Sequence, residues 1–187
     1  MKKSNSIKQN LTLKGIYKFT KAKLETAEHF NLNNQIQELR DKGLPFLHLV
    51  EKLHSICKTE VLIFENLVPT TARTMIANNL TSASPTHTMK ITHCALGTSS
   101  TSPANSDTQL GTETYRNAIA SITNASNVAY ATGFFTALEV TGTFAEAGIF
   151  SNGTGTANSG VLLSHVALSV SKSNTETLTL DWTLTIS

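Results

Sequence analysis

The chain has 187 residues, enough for one domain or one domain with an appendage, and 40% of them are hydrophobic, enough for a core. Its net charge of +2 divides unevenly: residues 1–60 carry eleven Lys/Arg against six Asp/Glu, residues 61–187 four against seven. Two cysteines, Cys57 and Cys94, exclude a disulfide framework and read as free buried thiols, and no apolar run approaches the roughly 20 residues that span a bilayer.

In chain order, Met1-Lys2-Lys3-Ser4-Asn5 runs into polar sequence with no apolar stretch behind it, so the expectation is synthesis in a cytoplasm without a secretion leader. Leu11 to Phe19 reads as a strand with Leu11, Leu13, Tyr17 and Phe19 on one face, Gly15 marking a bulge or close approach. Residues 25–58 read as an inserted helical hairpin. A polar helix from Asn33 to Lys42 stops at Gly43, and a second helix opens at Pro45 with Phe46, Leu47, Val50, Leu53 and Cys57 in one stripe. The basic first third, including this hairpin, suits either docking on an acidic partner or a solvated surface.

Glu60 to Leu67 is a strand by its β-branched and aromatic content, ended by Val68-Pro69. Thr70 or Thr71 is placed to cap a helix through Leu80, with Ala72, Met75, Ile76 and Leu80 inward, and residues 81–86 form a loop. From Met89 onward the chain is charge-poor, with 31 Ser/Thr among 99 residues. Strands are predicted over residues 87–96, 112–123, 128–138, 143–150, 161–171 and 176–186. In the last, Leu178, Leu180, Trp182, Leu184 and Ile186 alternate with Thr and Asp. About eight strands without a βαβ rhythm predict a mainly β fold, an antiparallel β-sandwich or jelly roll. The expected divisions are an N-terminal strand at 1–24, the helical insertion at 25–58 and the β-domain at 59–187.

Chemistry is sparse. His93 and Cys94 are adjacent on a strand and point to opposite faces, His54 and Cys57 make only two ligands, and no metal or cofactor is expected. There is no Gly-x-Ser-x-Gly elbow, and Gly153-Thr-Gly155 joins strands rather than opening a helix, so it is a turn and not a phosphate loop. Asp181, His165 and a serine can be combined on paper, but abundant Ser/Thr makes that uninformative. Glu139 and Glu146 flank a turn, which leaves carboxylate-based sugar hydrolysis open. Phe134 and Phe135 serve the two faces of one strand. The basic region lacks interleaved aromatics, so nucleic acid is not an expected partner.

One pattern is more distinctive. Asn66-Leu-Val-Pro-Thr-Thr-Ala-Arg73 is followed by Ala95-Leu-Gly97-Thr98, then by Pro103, Asp107, Leu110, Glu113 and Arg116 at regular intervals, and later by Phe144-Ala-Glu-Ala-Gly-Ile-Phe150. Over residues 60–187, and in the strand at 11–20, this resembles a pattern shared by many tailed-phage virion proteins, departing from it at Ser99, where the group has Gly. The insertion at 25–58 has no counterpart in it. The resemblance implies a non-enzymatic virion structural protein, a capsid decoration or head-fibre subunit, with a tail or baseplate receptor-binding appendage and a carbohydrate-active virion enzyme as alternatives. It further implies location in the virion and association with other copies, a trimer favoured, and with major capsid or tail proteins. It implies no catalytic residues, and without an apolar run long enough to span a bilayer no membrane partner is expected. Physically, Gly97 and Pro103 shape a long loop, Asp107 bonds amides within it, Arg116 pairs with Glu113 or Asp107, and Arg73 docks a carboxylate.

Overall fold

The computed structural model describes residues 12–82 and 84–187, and Leu11 of the first expected strand lies outside them. They form a β-sandwich of two antiparallel sheets with three helices. In chain order the elements are β1 (Leu13–Lys23), α1 (Ala27–Asp41), α2 (Leu47–Ile56), β2 (Lys58–Asn66), α3 (Thr70–Thr81), β3 (Ile91–Gly97), β4 (Glu113–Ala118), β5 (Ser121–Ala125), β6 (Val128–Phe135), β7 (Gly142–Ser151), β8 (Val161–Lys172) and β9 (Glu176–Ile186). One sheet has the order β2-β1-β9-β6-β5, the other β4-β3-β7-β8.

Nine strands replace the eight expected because residues 112–123 are two. β4 belongs to the second sheet and β5 to the first, and the chain crosses between them at Ile119-Ala120. The Ile119 amide donates to Thr92 O in one sheet and the Ala120 amide to Thr132 O in the other. Between the sheets, Tyr17, Phe19, Cys94, Leu96, Phe135, Phe144, Ile149, Val166, Leu180 and Trp182 are buried together. Trp182 Nε1 donates to Ser164 Oγ at 3.2 Å, so the indole is buried with its polar atom satisfied. Just outside the β1–β9 ladder, Thr12 and Ser187 exchange backbone hydrogen bonds.

The helical hairpin joins β1 to its sheet neighbour β2 and covers one end of the first sheet's outer face. Leu24, Leu32, Ile36, Phe46, Val50 and Leu53 bury against Phe134 and Ala137 in a second core. Phe134 and Phe135 therefore serve opposite faces of β6, as their adjacency predicts. α1 begins six residues before the expected Asn33, capped by Thr26 Oγ1, which accepts the His29 amide at 3.3 Å. It stops where expected: Gly43 follows the Lys42 cap with φ 66°, a conformation that suits glycine.

Three expectations fail here. The hairpin is not basic: α1 and α2 carry Arg40 and Lys52 against Glu28, Glu38, Asp41 and Glu51. Four lysines, Lys14, Lys18, Lys21 and Lys23, lie instead on β1, where Lys14 meets Glu65, Lys21 meets Glu60, and Lys23 meets Glu25. α3 has no threonine cap: Pro69 occupies the N-cap position, and Thr71 Oγ1 donates instead to Asp107 O and Leu162 O. Ala72 and Met75 face inward, but Leu80 is 81% exposed.

Candidate functional site

The residues of the distinctive pattern converge on the outer face of the second sheet. The β7–β8 ladder slips between Phe144 and Glu146. Phe144 and Ala147, three residues apart, consequently both enter the inner core, and Glu146 turns outward beneath the loop of residues 98–111. Glu146 is fully buried. Its Oε1 accepts the amides of Thr112 at 2.7 Å and Ser99 at 3.3 Å, and its Oε2 accepts the Gly111 amide at 2.9 Å. His165, on β8, places Nε2 3.0 Å from Glu146 Oε2 and Nδ1 2.8 Å from Asp107 Oδ2. The other contact of Asp107 Oδ2 is the Ala104 amide, at 2.7 Å, while the Asp107 amide returns to Ala104 O. Asp107 thus closes the turn that follows Pro103 and ties it to the sheet. Leu110 seals the loop against Ala95, Phe150 and Leu162.

Gly97 ends β3 directly under this carboxylate, and a Cβ there would overlap the Glu146 side chain and the Thr112 carbonyl. Glycine is required for close approach, with no demand on its backbone angles.

Arg116 completes the face. Of its expected partners the structure selects Glu113, in a two-pronged pair with Nε to Oε1 at 2.7 Å and Nη2 to Oε2 at 2.8 Å. The guanidinium stacks 4.1 Å from the Phe150 ring centre, and Nη1 donates to Ser159 O at 2.9 Å. Glu113 Oε2 also takes the Asn158 amide at 3.0 Å. The loop of residues 98–111 leaves the Gly97 end of β3 and that of residues 152–160 leaves Ser151, at the opposite end of the β3–β7 ladder. Both fold back across the sheet. Arg73 stands apart and docks no carboxylate: its Nη2 donates to Asn105 Oδ1 at 2.6 Å at the exposed start of α3.

This arrangement leaves little free chemistry. Both ring nitrogens of His165 lie within hydrogen-bond distance of a carboxylate, Nδ1 of Asp107 and Nε2 of Glu146, so neither is turned toward a serine or threonine hydroxyl. Asp107 and Glu146 both line a cavity of about 260 Å³, the paired carboxylates a glycosidase needs, but His165 engages each of them. A neighbouring cleft of about 510 Å³, lined by Thr70, Thr74, Met75, His87, Asn105 and Val161, has His87 as its titratable group. Among the described residues no three His, Cys, Asp or Glu side chains converge as metal ligands. His54 places Nε2 3.0 Å from Thr179 Oγ1, and burial lowers its pKa. Burial pushes the Cys94 thiol up to about 12, as suits an inert core residue.

A second polar cluster fixes the hairpin. Glu139, also expected beside a turn, forms a two-pronged pair with Arg40, both contacts 2.6 Å, and takes the Thr136 amide at 2.6 Å. Burial works against its ionised form, but the Arg40 guanidinium and the Thr136 amide outweigh this and hold its carboxyl below the usual range. Asn33 Oδ1 accepts the Ala137 amide at 3.0 Å, and Thr136 Oγ1 donates to Gln37 Oε1 at 2.9 Å. From beneath, buried Lys172 donates to Ala137 O and Val140 O at 3.0 and 2.7 Å, and burial pushes its pKa down to about 8.

Sequence reasoning missed Glu146 and His165 as partners. The available signal was an ionisable residue in the middle of each of two otherwise apolar strands, since a charge buried there needs a partner. No protein-family model, curated protein or solved structure compared with the chain matches it.

Proposed function

We propose that this chain is a non-enzymatic structural subunit of a tailed-phage virion, made in the host cytoplasm, most simply a capsid decoration or head-fibre protein that associates with copies of itself on the particle. The observation that supports this reading is the fate of charge on the second sheet's outer face. Glu146, His165, Asp107, Glu113 and Arg116 are joined in hydrogen bonds that fasten two long loops to the sheet. Such a locus gives rigidity, which suits a scaffold. Gly97, Asp107, Glu113 and Arg116, with Glu146 and Phe150, are also the residues that carry the resemblance to phage virion proteins. The loops of residues 98–111 and 152–160 lie across the sheet instead of forming a common tip, so nothing in them favours a receptor-binding appendage.

Mass spectrometry of gradient-purified particles tests the reading. The chain is expected at a fixed ratio to the major capsid protein, with immunogold label on the head. Particles without the chain overturn a virion role, and label confined to the tail overturns the decoration role.

A further inference from the structure

Four strands form the edges of the two sheets, and three are blunted. β8 has its Leu162 carbonyl taken by Thr71, its His165 backbone by Leu67, and its Ser171 carbonyl by Lys21. β4 is short, slips in register at Leu96–Gly97 and carries the Arg116–Glu113 pair. β5 is a five-residue strand, Ser-Ile-Thr-Asn-Ala. Native sheets avoid pairing with other chains by such devices.

β2 is neither short nor broken in register, and its charges, Lys58, Glu60 and Glu65, leave its centre free. It runs nine residues without proline, pairs with β1 in unbroken register from Gly15–Asn66 to Lys23–Lys58, and has an uncharged centre, Val61-Leu62-Ile63-Phe64. Among the described residues no strand pairs with its other side, and the bridge from Leu67 to His165 begins just past its end. Val61 and Ile63, on the outward face, are 48% and 66% exposed. Charge elsewhere on the strand is already engaged: Glu60 meets Lys21 at 2.7 Å and Glu65 meets Lys14 at 3.1 Å.

We propose that β2 is a self-association edge, pairing antiparallel with β2 of a second copy of this chain about a twofold axis through Leu62. The self-complementary sequence argues for a second copy. An axis perpendicular to the sheet keeps outward residues outward, so only every second register is allowed. With Leu62 on the axis, each Val61 faces Ile63 of the other copy, Lys58 faces Asn66, Thr59 faces Glu65, Glu60 faces Phe64, and no like charges meet. A shift of two residues in either direction sets Ile63 against Thr59 or Val61 against Glu65 and keeps one branched pair, Val61–Val61 or Ile63–Ile63, where the Leu62 register has two. The contact joins the two five-stranded sheets into one. Being isologous, it closes at two copies, so the assembly is a dimer and not the trimer the resemblance implies. The inference deepens the self-association in the proposed function by naming its surface.

Sedimentation velocity of the full chain from low to high micromolar concentration is the test. The expected result is a monomer–dimer equilibrium whose dissociation constant rises at least about tenfold in Ile63→Lys, with an unchanged far-UV spectrum because Ile63 is exposed in the single chain. In a Cys57→Ser background, Val61→Cys and Ile63→Cys chains should each stay unlinked alone and form a disulfide dimer when mixed. A chain monomeric throughout, or dimeric only after removal of residues 1–11, overturns the proposal. So does linking by either cysteine variant alone. An oligomer that Ile63→Lys leaves intact also overturns it, while leaving the self-association of the proposed function standing.

Discussion

The sandwich covers its two outer faces by opposite means. Over the first sheet, α1 and α2 lay Leu32, Ile36, Val50 and Leu53 on Phe134 and Ala137, with polar contacts such as Arg40–Glu139 alongside. Over the second, loops rich in Ser, Thr and Gly bring Leu110 as their large buried side chain and are held by Glu146, His165 and Arg116. The difference follows from backbone chemistry. A helix satisfies most of its own N–H groups and needs only an apolar stripe to dock. An irregular loop brings unpaired amides, so a carboxylate that gathers several of them both satisfies and anchors it. One face should therefore yield gradually to volume loss and the other abruptly to the loss of one group.

Substitutions can break this contrast in order of size. Glu146→Ala leaves three loop amides and His165 without their acceptor and should cost about 4 kcal/mol in urea denaturation. A loss below about 1 kcal/mol would mean that Leu110 carries the face. Leu53→Ala, in the fully buried hairpin core, should cost about 3 kcal/mol by the same measurement while the loops keep their protection from hydrogen exchange. Equal loss of exchange protection on both faces would show that they are not independent.

Arg40→Met should cost about 1 kcal/mol at neutral pH, since both partners are partly exposed. Glu139 titrates below the ordinary range in the folded chain, so its contribution is present above the unfolded value and lost as pH falls through the folded one. The difference between wild type and Arg40→Met should vanish in that acidic window, and a gap that persists to lower pH would assign the effect to packing. Smallest of all, Arg73→Ala at the exposed start of α3 should shift stability by less than about 0.5 kcal/mol.

How legible this was from sequence depends on which period governs each segment. In the final strand Leu178, Leu180 and Trp182 are buried between the sheets as their alternation predicts, though Thr177 and Thr179 are buried as well, Thr179 beside His54 of the hairpin, and the stripe Phe46, Val50, Leu53 marks the face α2 buries. Strict alternation fails at β7, where counting in twos from Phe144 puts Glu146 in the core; the register slip that turns it outward is set by β8. Alternation also continues through Ile119-Ala120, so the change of sheet leaves no local trace. The Glu113–Arg116 pair is local and was within reach of spacing. The Asp107–His165–Glu146 chain joins three segments and needed the fold.

The exchange of hydrogen bonds between Thr12 and Ser187 has a mechanical consequence. β1 and β9 lie side by side within the first sheet and run antiparallel from that shared corner. Tension pulling Thr12 and Ser187 apart would act on the ladder as on a zipper, opening one pair at a time from Leu13–Ile186 inward. Tension that enters at one of these residues and leaves elsewhere on the domain would not peel the two strands from each other in this way.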